Sequence, residues 1–257
     1  LGADVEIGPY AVIGRDVEIG DGCRVGAHVH IDGITRIGQR TVIYPFAVLG
    51  TPPQSTHYRG GPTRLLVGAD CIIREHVTVN TGTEDGGMET RIGDKCFLMT
   101  AAHVAHDCRV GNEVTLVNNA SLAGHVEIGD FAVVSGQSAL LQRVRVGAYA
   151  FLGGLTGLTK DLLPYCVAFE TPALFRGVNL VGLRRRGFSR AAIQTIRAAL
   201  RQFFADTGTM RERAERLATA FPEDADVARI VAFVRAGERR PFLIPGAQES
   251  VLQEDED

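Results

Sequence analysis

Between Ile7 and Leu158 an aliphatic residue, often followed by Gly, recurs at every sixth position. One run passes from Ile7 through Ile13 and Ile19 to Leu49. A short one covers Val67, Ile73 and Val79, and the last is unbroken from Ile92 to Leu158. A helix repeats at about 3.6 residues and a strand at about 2, so a period of six belongs to neither and marks a repeat architecture. Hexapeptides of this type predict a parallel β-helix with three short strands in each coil of about 18 residues. The fifth position of each hexapeptide is small or β-branched, as at Ala11, Val29, Ala47, Ala102 and Val126. Residues four apart on a strand share a face. Positions one and five are therefore expected to point into the prism, with the others at corners or on the outer wall.

Two interruptions and a change of texture organise the chain. Residues 51–66 keep the overall spacing but lose the pattern, with Pro52, Pro53, Gly60, Gly61 and Pro62 marking an excursion. Residues 80–91 form a second loop, across which the register jumps by one residue. A packed solenoid has no need of such loops, which makes them candidates for function. The hexapeptides stop after Pro164. Ser189 is a candidate N-cap for a helix carrying Ile193, Ile196, Leu200 and Phe203. Thr209 with Glu212 makes a capping box for a second helix to about Ala220. Pro222 is expected to open a third, with Val227, Ile230, Val231 and Val234 on one face. The expected division is a β-helix over residues 1–163, a linker and helical domain over 164–247, and an acidic, aromatic-free, disordered tail over 248–257. The first residue is Leu1, already close to the repeat, so further native N-terminal residues are expected before it.

Composition narrows the classes. A hydrophobic share of 45% is ample for a core, and a net charge of −3 gives no expectation of a nucleic-acid partner. No apolar stretch approaches the roughly 18 residues of a membrane span, and no signal-peptide pattern is visible. A cytoplasmic protein that is not integral to a membrane is expected. Four of the five cysteines, Cys23, Cys71, Cys96 and Cys108, sit at the inward fifth position and read as small apolar filler. An odd count without CxxC spacing fits a reducing compartment.

Three histidines carry the candidate chemistry. His106 is third in its hexapeptide and is expected to point outward, with Gly124 one coil later on the same wall, about 4.8 Å away. His125 follows at the corner, and His103 precedes Val104 at the end of the previous strand. An imidazole titrating near pH 6.5 suits removal of a proton from a hydroxyl or amine. Asp107 is placed to orient or charge-stabilise it. Gly124 lets a substrate approach the backbone, whose N–H can support an oxyanion. A zinc site would need His103, His106 and His125 to converge. Their spacings of three and nineteen differ from the paired ligands five residues apart in γ-class carbonic anhydrases, a similar repeat family, so no metal is expected.

The segments AAHVAHDCRVG (101–111), NNASLAGHVEIGD (118–130) and GVNLVGLRRRGFSR (177–190) closely resemble the acyl-carrier-protein-dependent UDP-N-acetylglucosamine O-acyltransferases, which make the first lipid A intermediate. The resemblance covers nearly the whole chain. It implies a left-handed β-helix with a C-terminal α-helical domain, assembled as a homotrimer with active sites between subunits. It implies a UDP-sugar acceptor and, as donor, the acyl-phosphopantetheine of acyl carrier protein, with no bound cofactor. His106 then matches the general base, Asp107 its neighbour and Gly124 the oxyanion N–H. His103 and His125 match the substrate cleft and Gln142 a substrate contact. Asn179 and Arg186 match residues that hold the nucleotide, and Gly154 a glycine that leaves room for the acyl chain. Arg185 belongs, with Arg184, Arg186 and Arg190, to a basic cluster expected to meet the acidic carrier protein.

Several positions depart from the family pattern. In the first loop, where the family has Gln-Asp-x-Lys, this chain has Gln54, Ser55, Thr56 and His57, so Ser55 replaces the acid and His57 the lysine. Leu141 and Pro172 stand in place of histidines, and Val181 in place of an acid. These changes leave open transfer to the 3-amino analogue of the sugar, giving an amide, and a degenerate, inactive paralogue. The repeat itself is shared with acetyl-CoA-dependent small-group transferases and with non-catalytic scaffolds.

Overall fold

The computed structural model describes residues 1–237 and 240–246. From Glu6 to Leu158 the strands are two to four residues long and stack into three parallel sheets. The sheets are the walls of a left-handed parallel β-helix. The first wall begins at Glu6–Ile7, the second at Val12–Ile13 and the third at Val17–Ile19. On the first wall Phe97 lies beside Thr115 and Thr115 beside Val133, so three hexapeptides close one plain coil. Position one fills the prism with Leu98, Leu116, Val134 and Leu152, all fully buried, and position five packs Val114, Ala132 and Ala150 beside them. In the first coil Ile7 is 42% exposed.

Most corners turn on a residue in the left-handed region. Ala101, Asp107, Glu113, Asn119 and His125 have φ between 53° and 61°. That conformation costs a residue with a Cβ about 1–2 kcal/mol. A hydrogen bond to the preceding coil offsets it, as from Asn119 N–H to the Thr100 carbonyl at 3.0 Å. The outer faces of the walls differ. The first presents Val42, Ile72, Phe97, Val133 and Phe151, the second His30, Thr78, His103 and Ser121, and the third Arg36, Arg91, Arg109 and Glu127.

Both insertions leave the corner between the second and third walls. The first runs from strand Val48–Thr51 to strand Arg64–Val67, the second from Thr78–Asn80 to Glu89–Ile92. The ends of the expected interruptions at 51–66 and 80–91 are thus strands, because backbone pairing resumes before the hexapeptide signature does. Ile43 pairs with Ile73 and Ile73 with Leu98, each a longer step along the chain than the plain one from Leu98 to Leu116. The first insertion lengthens its coil by two whole hexapeptides and keeps the phase. The second adds one hexapeptide and a single extra position, which shifts it.

The first wall also outlasts the hexapeptides. Strand Cys166–Phe169 stacks in parallel on Phe151–Leu152, past the expected boundary at 163, and Leu174–Val178 folds back on it antiparallel. Among the described residues four helices follow: α1 (Leu180–Arg185), α2 (Arg190–Ala205), α3 (Met210–Ala220) and α4 (Ala225–Arg235). Ser189 caps α2, and Thr209 with Glu212 forms the capping box of α3. Pro222 does not open α4. Asp224 is its N-cap, because a carboxylate can accept from the free N–H groups of Asp226 and Val227 and a proline side chain cannot. Burial of Ile193, Ile196, Leu200 and Phe203, and of Val227, Ile230, Val231 and Val234, makes the helical core. Arg145 latches this unit to the prism. Its guanidinium meets the fully buried Asp161 at 2.8 Å and the Phe233 carbonyl of α4 at 2.9 Å. No helix among the described residues is long and apolar enough to cross a membrane. The tail expected over 248–257 lies outside the described residues.

Candidate active site

His103 and Val104 form a strand of the second wall, and the chain then turns through Ala105, His106 and Asp107 into the third-wall strand Arg109–Val110. His103 is therefore in the same strand as Val104, not at the end of the one before. One coil on, Gly124 takes the place of His106. A Cβ at Gly124 would lie 2.5 Å from Cε1 and 2.6 Å from Nε2 of His106, so the imidazole rests directly over the glycine backbone. The Gly124 N–H donates no hydrogen bond among the described residues, whereas its neighbour His125 N–H bonds the His106 carbonyl at 2.9 Å. A ring nitrogen and an uncommitted N–H thus sit side by side.

Asp107 lies beneath this pair, its side chain only 1% exposed. Its Oδ2 is 2.8 Å from His106 Nδ1 and 2.6 Å from the Thr83 hydroxyl, while Oδ1 accepts from the Thr83 N–H at 2.9 Å. A carboxylate on Nδ1 favours the tautomer with Nδ1–H and a bare Nε2, the form a general base needs. His125 meets the His106 ring edge-on at 5.2 Å, with Nε2 3.8 Å from Asp107 Oδ2. Burial holds the His125 pKa below the ordinary histidine value, and Arg143 adds to the effect. Burial alone lowers that of His103, whose Nδ1 is 2.7 Å from the Thr78 hydroxyl.

The three groups that converge are His106, Asp107 and His125, with ligand atoms within 4.8 Å of one another; His103 is not among them. Both Asp107 oxygens already accept from protein donors. His106 Nδ1 and the Asp107 carboxylate are thereby turned on each other.

The remaining candidates fall into two groups. Gln142 continues the column one coil above Gly124 and is exposed. Gln54, Ser55 and His57 lie in the first loop, which leaves from the same corner as His106. Ser55 Oγ accepts from the His57 N–H at 3.3 Å, and Glu84 of the second loop binds the first through the N–H groups of Arg59 and Gly61. The other group is elsewhere on the chain. Gly154 is at the corner between the first and second walls, where a Cβ would meet only the Gly136 carbonyl, at 3.4 Å. Asn179 caps α1 and donates to the Tyr149 carbonyl at 2.8 Å. Arg186 lies over the Phe131 ring at 4.6 Å and pairs with Glu113 at 2.5 Å. Asn179, Arg185 and Arg186 line a cavity of about 700 Å³ whose floor is the apolar first wall at Val133 and Phe151. Among the described residues no hydrogen bond, ion pair or ring contact joins this group to His106. Of the positions that depart from the family pattern, Leu141 and Val181 are exposed, at 53% and 59%.

Thr83 was not legible as a site residue, its only signal being its place in a loop that breaks the register. Phe131, Tyr149 and Tyr165 stack beside the cavity, and the only sequence signal of it is that the first two share one hexapeptide position.

Residues 161–242 match the family model described as domain 2 of UDP-N-acetylglucosamine O-acyltransferase, and residues 1–33 match the bacterial transferase hexapeptide. The acyl-[acyl-carrier-protein]–UDP-N-acetylglucosamine O-acyltransferase of Azorhizobium caulinodans is 52% identical over 255 residues, 99% of this chain and 94% of that protein. The protein of the same name from Methylobacterium radiotolerans is 58% identical over 203 residues, 79% of this chain and 75% of its own. Among solved structures, the UDP-N-acetylglucosamine acyltransferase of Campylobacter jejuni superposes with a TM-score of 0.88 at 35% identity, covering 95% of this chain and 94% of that one. The Moraxella catarrhalis enzyme gives 0.89 at 33% identity, covering 94% of each chain.

Proposed function

The chain belongs to the acyl-[acyl-carrier-protein]–UDP-N-acetylglucosamine O-acyltransferase family, which makes it an acyltransferase, and we propose that it moves a 3-hydroxyacyl chain from acyl carrier protein to the 3-hydroxyl of UDP-N-acetylglucosamine. The observation that carries the reading is the packing of the His106 imidazole on the Gly124 backbone, with Asp107 on its far nitrogen. His106 Nε2 takes the proton of the 3-hydroxyl as that oxygen attacks the thioester carbonyl. The Gly124 N–H faces the oxyanion of the tetrahedral intermediate. The intermediate collapses to the ester, and His106 returns its proton to the departing thiol of the phosphopantetheine arm. The step consumes no cofactor.

The division of the candidates supports a homotrimer with sites between subunits. One chain supplies the base corner with His103, His106, Gly124, His125 and Gln142, and a neighbour supplies the cavity at Asn179, Arg185 and Arg186 for the nucleotide. Gly154, where a side chain would meet little but the Gly136 carbonyl, suits an acyl groove on the facing edge. Arg184, Arg185 and Arg190 are exposed near that edge and suit an acidic carrier protein. An acyl-carrier-protein donor supports a cytoplasmic reaction.

Ser55, Leu141 and Val181 bear on the acceptor. Loss of the family's carboxylate at Ser55 removes a strong partner for a sugar hydroxyl, which favours the 3-amino sugar as the second reading. Offering both acceptors in one tube with one acyl donor decides between them. Ester as the main product upholds the proposal, amide as the main product replaces its acceptor, and no product from either ends it.

A further inference from the structure

We propose that Thr83 is a positioning residue for acyl transfer, its N–H and hydroxyl clamping the Asp107 carboxylate so that one oxygen stays on Nδ1 of His106 and Nε2 stays bare. The inference rests on the reading of His106 as the base. Thr83 is buried, at 5% exposure, and spends both its donors on Asp107, one on each oxygen. It heads a tight turn of the second loop, its carbonyl accepting from the N–H groups of Gly86 and Met88 at 3.2 and 3.0 Å. That turn wraps the carboxylate. A Cβ at Gly86 would collide with the carboxylate, and one at Gly82 would lie 2.8 Å from Oδ1. From the far end of the loop, Thr90 Oγ1 accepts the Asp107 backbone N–H at 2.8 Å.

A carboxylate on one Cβ can rotate and present either oxygen or neither to a neighbouring ring. Donors fixed on a closed turn remove that freedom. An imidazole whose Nδ1–H meets a fixed carboxylate keeps one tautomer and one ring orientation. Thr83 does not touch the reacting atoms; it acts through Asp107. The ionisable groups that face His106 are Asp107 from its own corner and His125 from the next coil, with Arg143 beside His125 one coil further on.

The test compares Thr83→Val, Thr83→Ser, Gly86→Ala and His106→Ala in the full-length chain, with acyl carrier thioester and the sugar nucleotide. Thr83→Val keeps the shape and the N–H but loses the hydroxyl. Its kcat is expected to fall roughly 10–100-fold, the scale of losing an orienting partner, with KM for either substrate changed less than about 3-fold. The acid limb of its kcat/KM profile should move to higher pH, because a carboxylate with one donor fewer favours the imidazolium. Thr83→Ser should restore kcat to within about 3-fold of wild type, since it restores the donor. Gly86→Ala displaces the carboxylate from the other side with Thr83 intact and should also lower kcat, which keeps the inference testable should Thr83→Val fail to fold. A folded Thr83→Val with wild-type kcat and an unmoved acid limb overturns it. So does a Ser variant as slow as the Val variant, or a wild-type Gly86→Ala. Turnover by His106→Ala would defeat the base reading itself, whatever Thr83 does.

Discussion

The plain coils from Phe97 to Leu158 and the two lengthened coils between Ile43 and Leu98 share one hexapeptide grammar, yet they meet at the candidate site from opposite sides. In the plain coils every corner but that at Asp107 repeats one bond: His125 N–H to the His106 carbonyl at 2.9 Å, Arg143 N–H to the Gly124 carbonyl at 3.0 Å. That repetition stacks Gly124 on His106 and leaves the glycine N–H uncommitted. At Asp107 the rule fails, because the second insertion has displaced the corner below. Its N–H goes to the Thr90 hydroxyl instead, and its carboxylate to Thr83. Regular coils fix where a ring and a backbone N–H stand, and an irregular insertion supplies the buried polar grip that periodicity cannot.

The sharpest way to break this division is through the core of a plain coil. Leu116 is fully buried between Leu98 and Val134. Leu116→Ala should cost about 2–5 kcal/mol in denaturant melts. Tyr58→Ala in the first loop, whose hydroxyl donates to the Gly61 carbonyl at 3.1 Å, should cost about 1 kcal/mol or less. Equal losses would mean that the insertion is as integral to stability as the coils.

Next in size is Gly124→Ala, which puts a methyl where the His106 ring lies while leaving the backbone fold alone. We expect kcat to drop on the order of 10²-fold, close to the loss of one oxyanion donor, with a melting temperature near wild type. Unchanged kcat would show that the ring is free to leave the glycine.

The smallest effect is on stability against pH. His103 and His125 have pKa values lowered by burial in the folded chain. Between those values and the unfolded value near 6.5, the unfolded chain binds more protons, so stability falls as pH drops through that window. Melting temperature should decline by a few °C, in order of magnitude, from pH 7.5 to 5. His103→Gln should flatten the slope, and an unaltered slope in that variant would assign it to other groups.

The prism was legible because one physical demand, an apolar interior under a fixed coil length, is written at every sixth residue. The relation of His106 to Gly124 follows from counting one coil, three hexapeptides, along it. The helix caps at Ser189 and Thr209 were legible because capping is local chemistry. Asp224 was passed over for Pro222, since both residues favour a helix start and only geometry tells which N–H groups need an acceptor. Helix α1 carries little periodic signal, being six residues long with Gly182 inside it. The grip of Thr83 on Asp107 was hidden for a deeper reason. It joins positions 24 apart across a loop with no period, and nothing in the order of residues says where such a loop closes.

The account stands or falls on His106 as the base of an acyl transfer, and a side-by-side rate for wild type and His106→Ala tests it most directly. Each would be given acyl carrier thioester and UDP-N-acetylglucosamine, with the acylated sugar nucleotide measured by mass. The wild-type chain should form the 3-O-acyl product, and the variant, equally folded by circular dichroism, should be slower by about 10²–10⁴-fold. Product formation by His106→Ala at the wild-type rate would contradict the account.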